Sequence, residues 1–174
     1  MTKHIALLRG INVGGHRRVP MSELRVLTEE VGFGDVRTYV ASGNVVLASE
    51  HTCDVIESTL EQVIEQRFGF AVDVVARSAA QWTGYLNSNP FVAEGAREPN
   101  LVMLCIGKQP AMEGHAASLR ERAGDNERVE LRGDALWLYF GDGSGRSKMG
   151  LGPGAGTWTT RNLRTVRTIH DMLR

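Results

Sequence analysis

The sequence has little cysteine and no long apolar run. Its two cysteines, Cys53 and Cys105, stand in no redox or metal-binding motif, so a disulfide is not expected. The first eight residues lack the apolar core of a signal peptide, and no apolar run approaches the length of a membrane span. These absences predict a cytoplasmic protein without a membrane partner.

An excess of charge of either sign is also absent. Lysine plus arginine and aspartate plus glutamate number 20 each, which gives a net charge of zero. Strong non-specific binding of nucleic acid needs a basic surplus, so a nucleic-acid partner is not expected. Tyr39 and Arg37 share one face of a predicted strand, but the next strand, residues 45–47, offers only aliphatic side chains for base stacking.

Recognisable catalytic and metal motifs are missing as well. None of the five histidines pairs with a cysteine or carboxylate at metal-ligand spacing, so neither a metal nor a cofactor is predicted. Residues 10–17 have the glycine spacing of a phosphate-binding loop but lack its lysine and its serine or threonine. Ser42 stands outside the glycine-framed elbow of hydrolase nucleophiles. No catalytic residue is identified, and whether the protein is an enzyme stays open.

The hydrophobic pattern, in contrast, is clear and predicts an α+β fold. Hydrophobic residues make up 42% of the chain, which is enough for a core. Their periodicity predicts the order strand, helix, strand, strand, helix, strand over residues 1–77, as in a ferredoxin-like unit. The first and third strands, residues 5–8 and 45–48, are continuously apolar, which is typical of the centre of a sheet.

Residues 78–174 repeat much of this pattern. After a connecting helix, the periodicity predicts a strand at 101–106, a helix at 111–122, strands at 129–131 and 136–140, and a closing helix at 160–173. We therefore predict two ferredoxin-like halves of βαββα type, residues 1–77 and 78–174, which fold as one cooperative unit, the second lacking its last strand. A sheet face that no helix covers needs the other half or a second copy of the chain, so a homodimer stays open.

Four sequence blocks carry a family resemblance. They are LLRGINVGG at residues 7–15, TY at 38–39, SGNVV at 42–46 and TTRN at 159–162. Together they resemble the bacterial family known as domain of unknown function 1697. The resemblance implies an α/β fold and a small stand-alone cytosolic protein, and it implies no activity, cofactor or catalytic residue. Residues 150–156 are glycine-rich where the family has more helix-like residues, and Leu163 stands where an aromatic residue is common.

The predicted start of the last helix has the features of an anion site. Thr159 or Thr160 can cap the helix, and Arg161 supplies a fork of donors beside the free backbone amides. The preceding glycine-rich loop can close over an anion, and the glycine-rich loop and turn of the first half are the predicted opposing wall. The predicted ligand-binding residues are Arg9, Asn12, Gly14, Gly15, Ser42, Asn44, Lys148, Thr160, Arg161 and Asn162.

Three functions remain compatible with these features. The first is a module that binds a small anionic or nucleotide-like ligand, and the second is an enzyme acting on a phosphorylated or carboxylated metabolite. The third is a protein–protein or dimerisation module, in which Arg161, Arg164 and Arg167 form only the exposed face of an amphipathic helix. The first is favoured because cations in the first turns of a helix oppose its dipole, and a bound anion would reverse that cost.

The absence of metal and disulfide motifs generates a prediction about stability. Adding a chelator or a reductant should leave the melting temperature unchanged, because neither reagent removes a bond that holds the fold. Differential scanning fluorimetry with and without each reagent measures this. A large drop with the chelator would reveal a metal site that the residue spacing does not show.

Overall fold

Residues 1–174 are described by a computed structural model, in which the chain divides into two units. The first unit comprises Met1–Trp82 together with the C-terminal segment Ile169–Arg174, and the second comprises Thr83–Thr168. The fold is mixed α+β, with two four-stranded antiparallel sheets and six helices. None of these helices combines the length and the hydropathy that a bilayer crossing requires.

The first unit contains the first sheet and two long helices. In chain order its elements are β1 (Thr2–Leu8), α1 (Met21–Glu30), β2 (Gly34–Tyr39), β3 (Asn44–Ser49), α2 (Cys53–Phe68) and β4 (Val74–Ser78). The strands pair in the order β2-β3-β1-β4, so β1 and β3 are central and β2 lies at an edge. The prediction that the two continuously apolar strands occupy the centre of this sheet is confirmed.

One face of the first sheet packs on α1 and α2. Helix α2 buries Ile56, Leu60 and Ile64, which lie four residues apart and therefore form one apolar stripe. These side chains belong to the same core cluster as Leu8 and Leu47, from the two central strands. The sheet is also buried on its other face, because every residue of β3 is buried along with all of β1 after its second residue.

The second unit repeats the strand order of the first. Its elements, with the helices that flank them, are α3 (Ala79–Asn87), α4 (Val92–Arg97), β5 (Val102–Gly107), α5 (Glu113–Arg120), β6 (Glu127–Arg132), β7 (Ala135–Phe140), β8 (Trp158–Asn162) and α6 (Leu163–Met172). The order β6-β7-β5-β8 places β5 and β7 at the centre and β6 at an edge. A core cluster that includes Leu119, Leu138 and Phe140 joins α5 to this sheet.

Two predictions for the second half are wrong. The last strand is present as β8, which pairs antiparallel with β5 from Met103 opposite Asn162 to Gly107 opposite Trp158. The closing helix begins at Leu163, because the three residues from 160 to 162 belong to that strand. What the second half lacks is a helix between its third and fourth strands, where residues 141–157 form a long glycine-rich loop instead.

The position of β1 and β3 predicts where amide exchange is slowest. Their backbone hydrogen bonds lie inside the sheet and under buried side chains, so exchange requires opening of the unit as a whole. Hydrogen exchange followed by NMR should show the strongest protection in these strands and weaker protection along β2. Fast exchange throughout β3 would contradict its central position.

Candidate functional site

The predicted ligand residues of the first unit lie in two segments that touch each other. One is the loop after β1 and the other is the turn between β2 and β3. Asn12 joins them, because its Nδ2 donates to the Ala41 carbonyl at 2.7 Å. This contact places the loop that carries Arg9, Asn12, Gly14 and Gly15 beside the turn that carries Ser42 and Asn44.

The side chain of Asn12 is fully used in building this loop. Its Nδ2 also donates to the Val19 carbonyl at 2.9 Å, and its Oδ1 accepts from the Val19 amide at 2.8 Å. Together with the bond to Ala41, these contacts occupy both amide hydrogens and the oxygen. Asn12 has a φ of 54°, in the left-handed region that asparagine tolerates better than most residues. Its amide group therefore holds the backbone of the loop in place.

Arg17 holds the other end of the same loop. Its Nε donates to the Gly10 carbonyl at 2.9 Å and its Nη2 to the Ala71 carbonyl at 2.5 Å. The guanidinium also lies over the Phe70 ring, 5.2 Å from its centroid. These contacts offset the strain of an unusual backbone, in which five residues of the loop have positive φ: Gly10, Asn12, Gly14, Gly15 and Arg17.

The turn between β2 and β3 uses its polar side chains in the same way. Asn44 is buried, and its Nδ2 donates to the Tyr39 carbonyl at 2.9 Å and to Ser42 Oγ at 3.0 Å. Gly43 has a φ of 89°, and a Cβ atom there would lie 2.8 Å from Leu8 Cβ. The turn therefore requires glycine both for its backbone conformation and for the close approach to β1.

Four of the predicted residues of the first unit, Arg9, Gly14, Gly15 and Ser42, lie at the surface. Gly14 and Gly15 form the exposed tip of a tight turn, closed by a 3.0 Å hydrogen bond from the His16 amide to the Val13 carbonyl. Arg9 is half-exposed, and its Nη1 lies 3.8 Å from Asp73 Oδ2. An exposed pair at this distance is screened by water and orders the arginine only weakly.

The predicted anion site at the start of the last helix has a different geometry. Two amides of the first turn of α6 are already satisfied within the protein. Thr165 donates its amide to Asn162 Oδ1 at 3.0 Å, and Leu163 donates its amide to the Pro99 carbonyl at 3.2 Å. Asn162 is thus the residue that caps the helix, and the predicted capping threonines lie upstream in β8.

Arg161 is buried in β8 and does not belong to the exposed helix face. Only 9% of its surface is exposed, and its Nη1 donates to Thr159 Oγ1 at 2.7 Å and to the Thr160 carbonyl at 3.0 Å. Burial lowers the pKa of Arg161 to about 10, so the side chain is still a cation at neutral pH. The predicted arginine stripe on the last helix is therefore reduced to Arg164 and Arg167.

The glycine-rich loop of the second unit is attached to β8 and to the core. Thr160 Oγ1 donates to the Leu151 carbonyl, and Trp158 Nε1 donates to the Ala155 carbonyl at 2.6 Å. Met149 is completely buried and belongs to the core cluster of this unit. The segment that carries Arg146 and Lys148 is therefore anchored at Met149, directly after Lys148 in the chain.

A cavity of about 540 Å³ lies beside this segment, entirely within the second unit. Such a volume is in the usual range for small-molecule sites, which runs from about 300 to about 1,000 Å³. Its walls come from the segment that follows α5, the start of β6 and the glycine-rich loop. The charged side chains that line it are Arg122, Glu127, Asp142, Arg146 and Lys148.

The three cations of this cavity have no partner inside the protein. Arg122, Arg146 and Lys148 are exposed, and none of their side chains donates a hydrogen bond or lies within 4.0 Å of a carboxylate oxygen. Cations of the same cavity repel one another, and an anion between them would replace that repulsion by attraction. Of the ten predicted ligand residues, Lys148 is the one that lines this cavity.

Neither thiol has the properties of a nucleophile. Burial raises the pKa of Cys105 to about 12, which keeps it protonated at neutral pH. Burial also raises the pKa of Cys53, at the start of α2. No group of three or more histidine, cysteine, aspartate or glutamate side chains is arranged to hold a metal ion.

Residues 1–137 match the family described as Protein of unknown function (DUF1697). The chain belongs to this family. The matched residues include the two connected loops of the first unit, whereas the glycine-rich loop and the TTRN block of β8 lie beyond them. Among curated proteins, none matches the chain significantly.

The fold is shared with a solved structure. The conserved bacterial protein SP0830 from Streptococcus pneumoniae is similar over 99% of this chain and 99% of its own, with a TM-score of 0.78 and 23% sequence identity. At this identity the likeness concerns the fold. No function is established for the family or for this neighbour by these descriptions.

The burial of Arg161 generates a prediction about stability. Replacing it with alanine removes at least two hydrogen bonds and leaves a cavity beside β8, so we expect Arg161→Ala to lower the free energy of unfolding by about 2 kcal/mol or more. This reverses the expectation from the sequence, which treats the residue as an exposed ligand. Urea denaturation followed by circular dichroism measures the change.

Arg164→Ala is the matched control, because Arg164 is exposed on the neighbouring helix. Exposed substitutions of this kind change the free energy of unfolding by about 0.5 kcal/mol or less. Equal effects of the two variants would mean that the side chain of Arg161 contributes nothing through its burial.

Proposed function

We propose that this protein is a binding module for a small anionic ligand, and that the anion is held in the cavity beside the glycine-rich loop. The observation that carries the proposal is the group of three cations, Arg122, Arg146 and Lys148, which line one cavity without partners of their own. Phosphorylated or carboxylated metabolites, including nucleotides, are the ligands of this charge and size. The module acts in the cytoplasm on this proposal.

The chemistry of the three side chains supports an anion with several oxygen atoms. An arginine presents a planar fork of donors that matches two oxygens of a phosphate or carboxylate, whereas a lysine acts as a compact point charge. Arg122 follows α5, whereas Arg146 and Lys148 lie in the glycine-rich loop. The anion would therefore be contacted by side chains from two segments of the chain. Glycines at this loop also leave the backbone close to the cavity, with Gly143 among its lining residues.

The other nine predicted ligand residues do not line this cavity. The side chains of Asn12, Asn44, Arg161 and Asn162 make hydrogen bonds within the protein. A ligand role for them, and for Arg9, Gly14, Gly15, Ser42 and Thr160, stays a prediction. The proposal therefore moves the anion from the start of α6 to the cavity that Lys148 lines.

We also propose that each half is a ferredoxin-like unit, with the division near residue 77 and cooperative unfolding of the whole chain. The first sheet has the order β2-β3-β1-β4 with a helix after each of β1 and β3, which supports the proposal for residues 1–77. The second sheet has the corresponding order without the second helix. The C-terminal segment Ile169–Arg174 belongs to the first unit, although it follows the second unit in the chain. This arrangement supports cooperative unfolding, because the first unit is complete only when both ends of the chain are folded.

The proposed site predicts that phosphate stabilises the protein. A ligand at ten times its dissociation constant raises the free energy of unfolding by about 1.4 kcal/mol, because it binds only the folded state. Inorganic phosphate should therefore raise the melting temperature at constant ionic strength, where chloride replaces phosphate in the reference sample. Titration followed by NMR should move the amide signals of residues 122–124 and 143–148.

Lys148→Gln and Arg146→Gln should each weaken this effect, because each removes one charge and retains a polar side chain. Arg164→Gln, an exposed arginine of the same unit outside the cavity, is the control and should respond to phosphate as the original protein does. If phosphate shifts neither the melting temperature nor these amide signals, the proposal is wrong.

A further inference from the structure

Two carboxylates share the cavity with the three cations, and their arrangement bears on the ligand. Glu127 is the first residue of β6, and Asp142 follows β7. In the register of these strands Glu127 lies opposite Phe140, so the pairing of β6 with β7 brings both acidic residues to the same end of the hairpin. The strand pairing therefore fixes the backbone positions of both acidic residues.

Each carboxylate is held by one oxygen and leaves the other unused. Glu127 Oε1 accepts from the Gly124 amide at 2.8 Å, and Asp142 Oδ1 accepts from Asn126 Nδ2 at 3.2 Å. The second oxygen of each makes no hydrogen bond or ion pair within the protein. Both groups are thus oriented and retain a free acceptor.

The approach of Asn126 to Asp142 is built into the backbone. The Gly141 amide donates to the Asn126 carbonyl at 2.9 Å, and a Cβ atom at position 141 would lie 2.5 Å from that carbonyl oxygen. Only glycine fits there, so the residue before Asp142 can come close enough for the Asn126 side chain to reach the carboxylate. Residue 141 thereby fixes the position of one acidic side chain of the cavity.

Charges of opposite sign face the same cavity but remain apart. None of the three cations lies within 4.0 Å of Glu127 or Asp142, although all five side chains line the same 540 Å³. A ligand that carried only negative charge would satisfy the cations and be repelled by the two carboxylates. A ligand with both an anionic and a cationic group would satisfy both sets of side chains.

We infer that the ligand is a small zwitterion, whose phosphate or carboxylate contacts Arg122, Arg146 and Lys148 and whose ammonium contacts Glu127 and Asp142. This inference rests on the proposed function, since it assigns the ligand class of the same cavity. An ammonium offers three donors, which match the free oxygens of two separate carboxylates. Phosphorylated amines and amino acids are compounds of this class.

Three probes, of which the two phosphate esters have the same size, separate the contributions of the two groups. Inorganic phosphate tests the anion alone, ethylene glycol monophosphate adds a neutral hydroxyl arm, and O-phosphoethanolamine carries an ammonium in place of that hydroxyl. Because exposed ion pairs are weak, we expect O-phosphoethanolamine to bind about fivefold more tightly than ethylene glycol monophosphate, measured by NMR titration at constant ionic strength.

The variants Glu127→Gln and Asp142→Asn identify the groups responsible. Each amide keeps the oxygen that accepts from Gly124 or Asn126 and loses only the negative charge. Either variant should reduce the preference for O-phosphoethanolamine, and the double variant should abolish it, while phosphate binds at least as tightly as before. Arg164→Gln should leave the preference unchanged.

The outcomes distinguish this inference from the function on which it rests. If phosphate binds and the two phosphate esters bind equally, the ligand is an anion without a required ammonium, and the inference is wrong while the proposed function stands. A preference that survives in the double variant would likewise overturn it, because the ammonium would then be recognised elsewhere. If none of the three probes binds, both proposals fail together.

Discussion

In both sheets the two central strands are buried on both faces, and this burial determines where polar chemistry can lie. Every residue of β3 and β7 is buried, and β1 and β5 are exposed only in one to two residues near their starts. An unpaired polar group inside such a strand would lose its hydration without compensation. Binding groups are therefore confined to strand ends and loops, where both the candidate loops of the first unit and the cavity of the second are found.

The same burial explains which elements the sequence predicts. The spacing of apolar residues shows which positions are buried in central strands and in helix stripes such as Ile56, Leu60 and Ile64. A single sequence therefore suffices to locate these elements. β8 is five residues long and four of them are polar, and it is a strand because β5 offers it a partner. The spacing of Arg161, Arg164 and Arg167 continues the helical period upstream, and nothing in that spacing shows that the first of them is buried in a strand.

Polar residues near glycines have two uses that a sequence does not distinguish. The amide of an asparagine can recognise a ligand, or it can satisfy backbone groups that an irregular loop leaves without partners. Asn12, Asn44 and Asn162 all have the second use here, each bonded to backbone within its own segment or the next. The sequence correctly locates the irregular backbone. Which groups the asparagine side chains bond to depends on distances that only the folded chain defines.

The cavity is assembled from residues with no common motif, which is why the sequence points to Lys148 alone. Strand register unites them: a slip of β6 by one residue against β7 would turn Glu127 to the other face of the sheet and away from Asp142. Opposite charges that stay apart would be expected to collapse onto each other if their segments were free to move. Here the Gly124 amide and Asn126 hold the carboxylates, and the buried Met149 anchors the loop that carries Arg146 and Lys148. If a ligand enters as proposed, a cavity held open in this way needs little reorganisation, so more of each contact's free energy would appear as affinity.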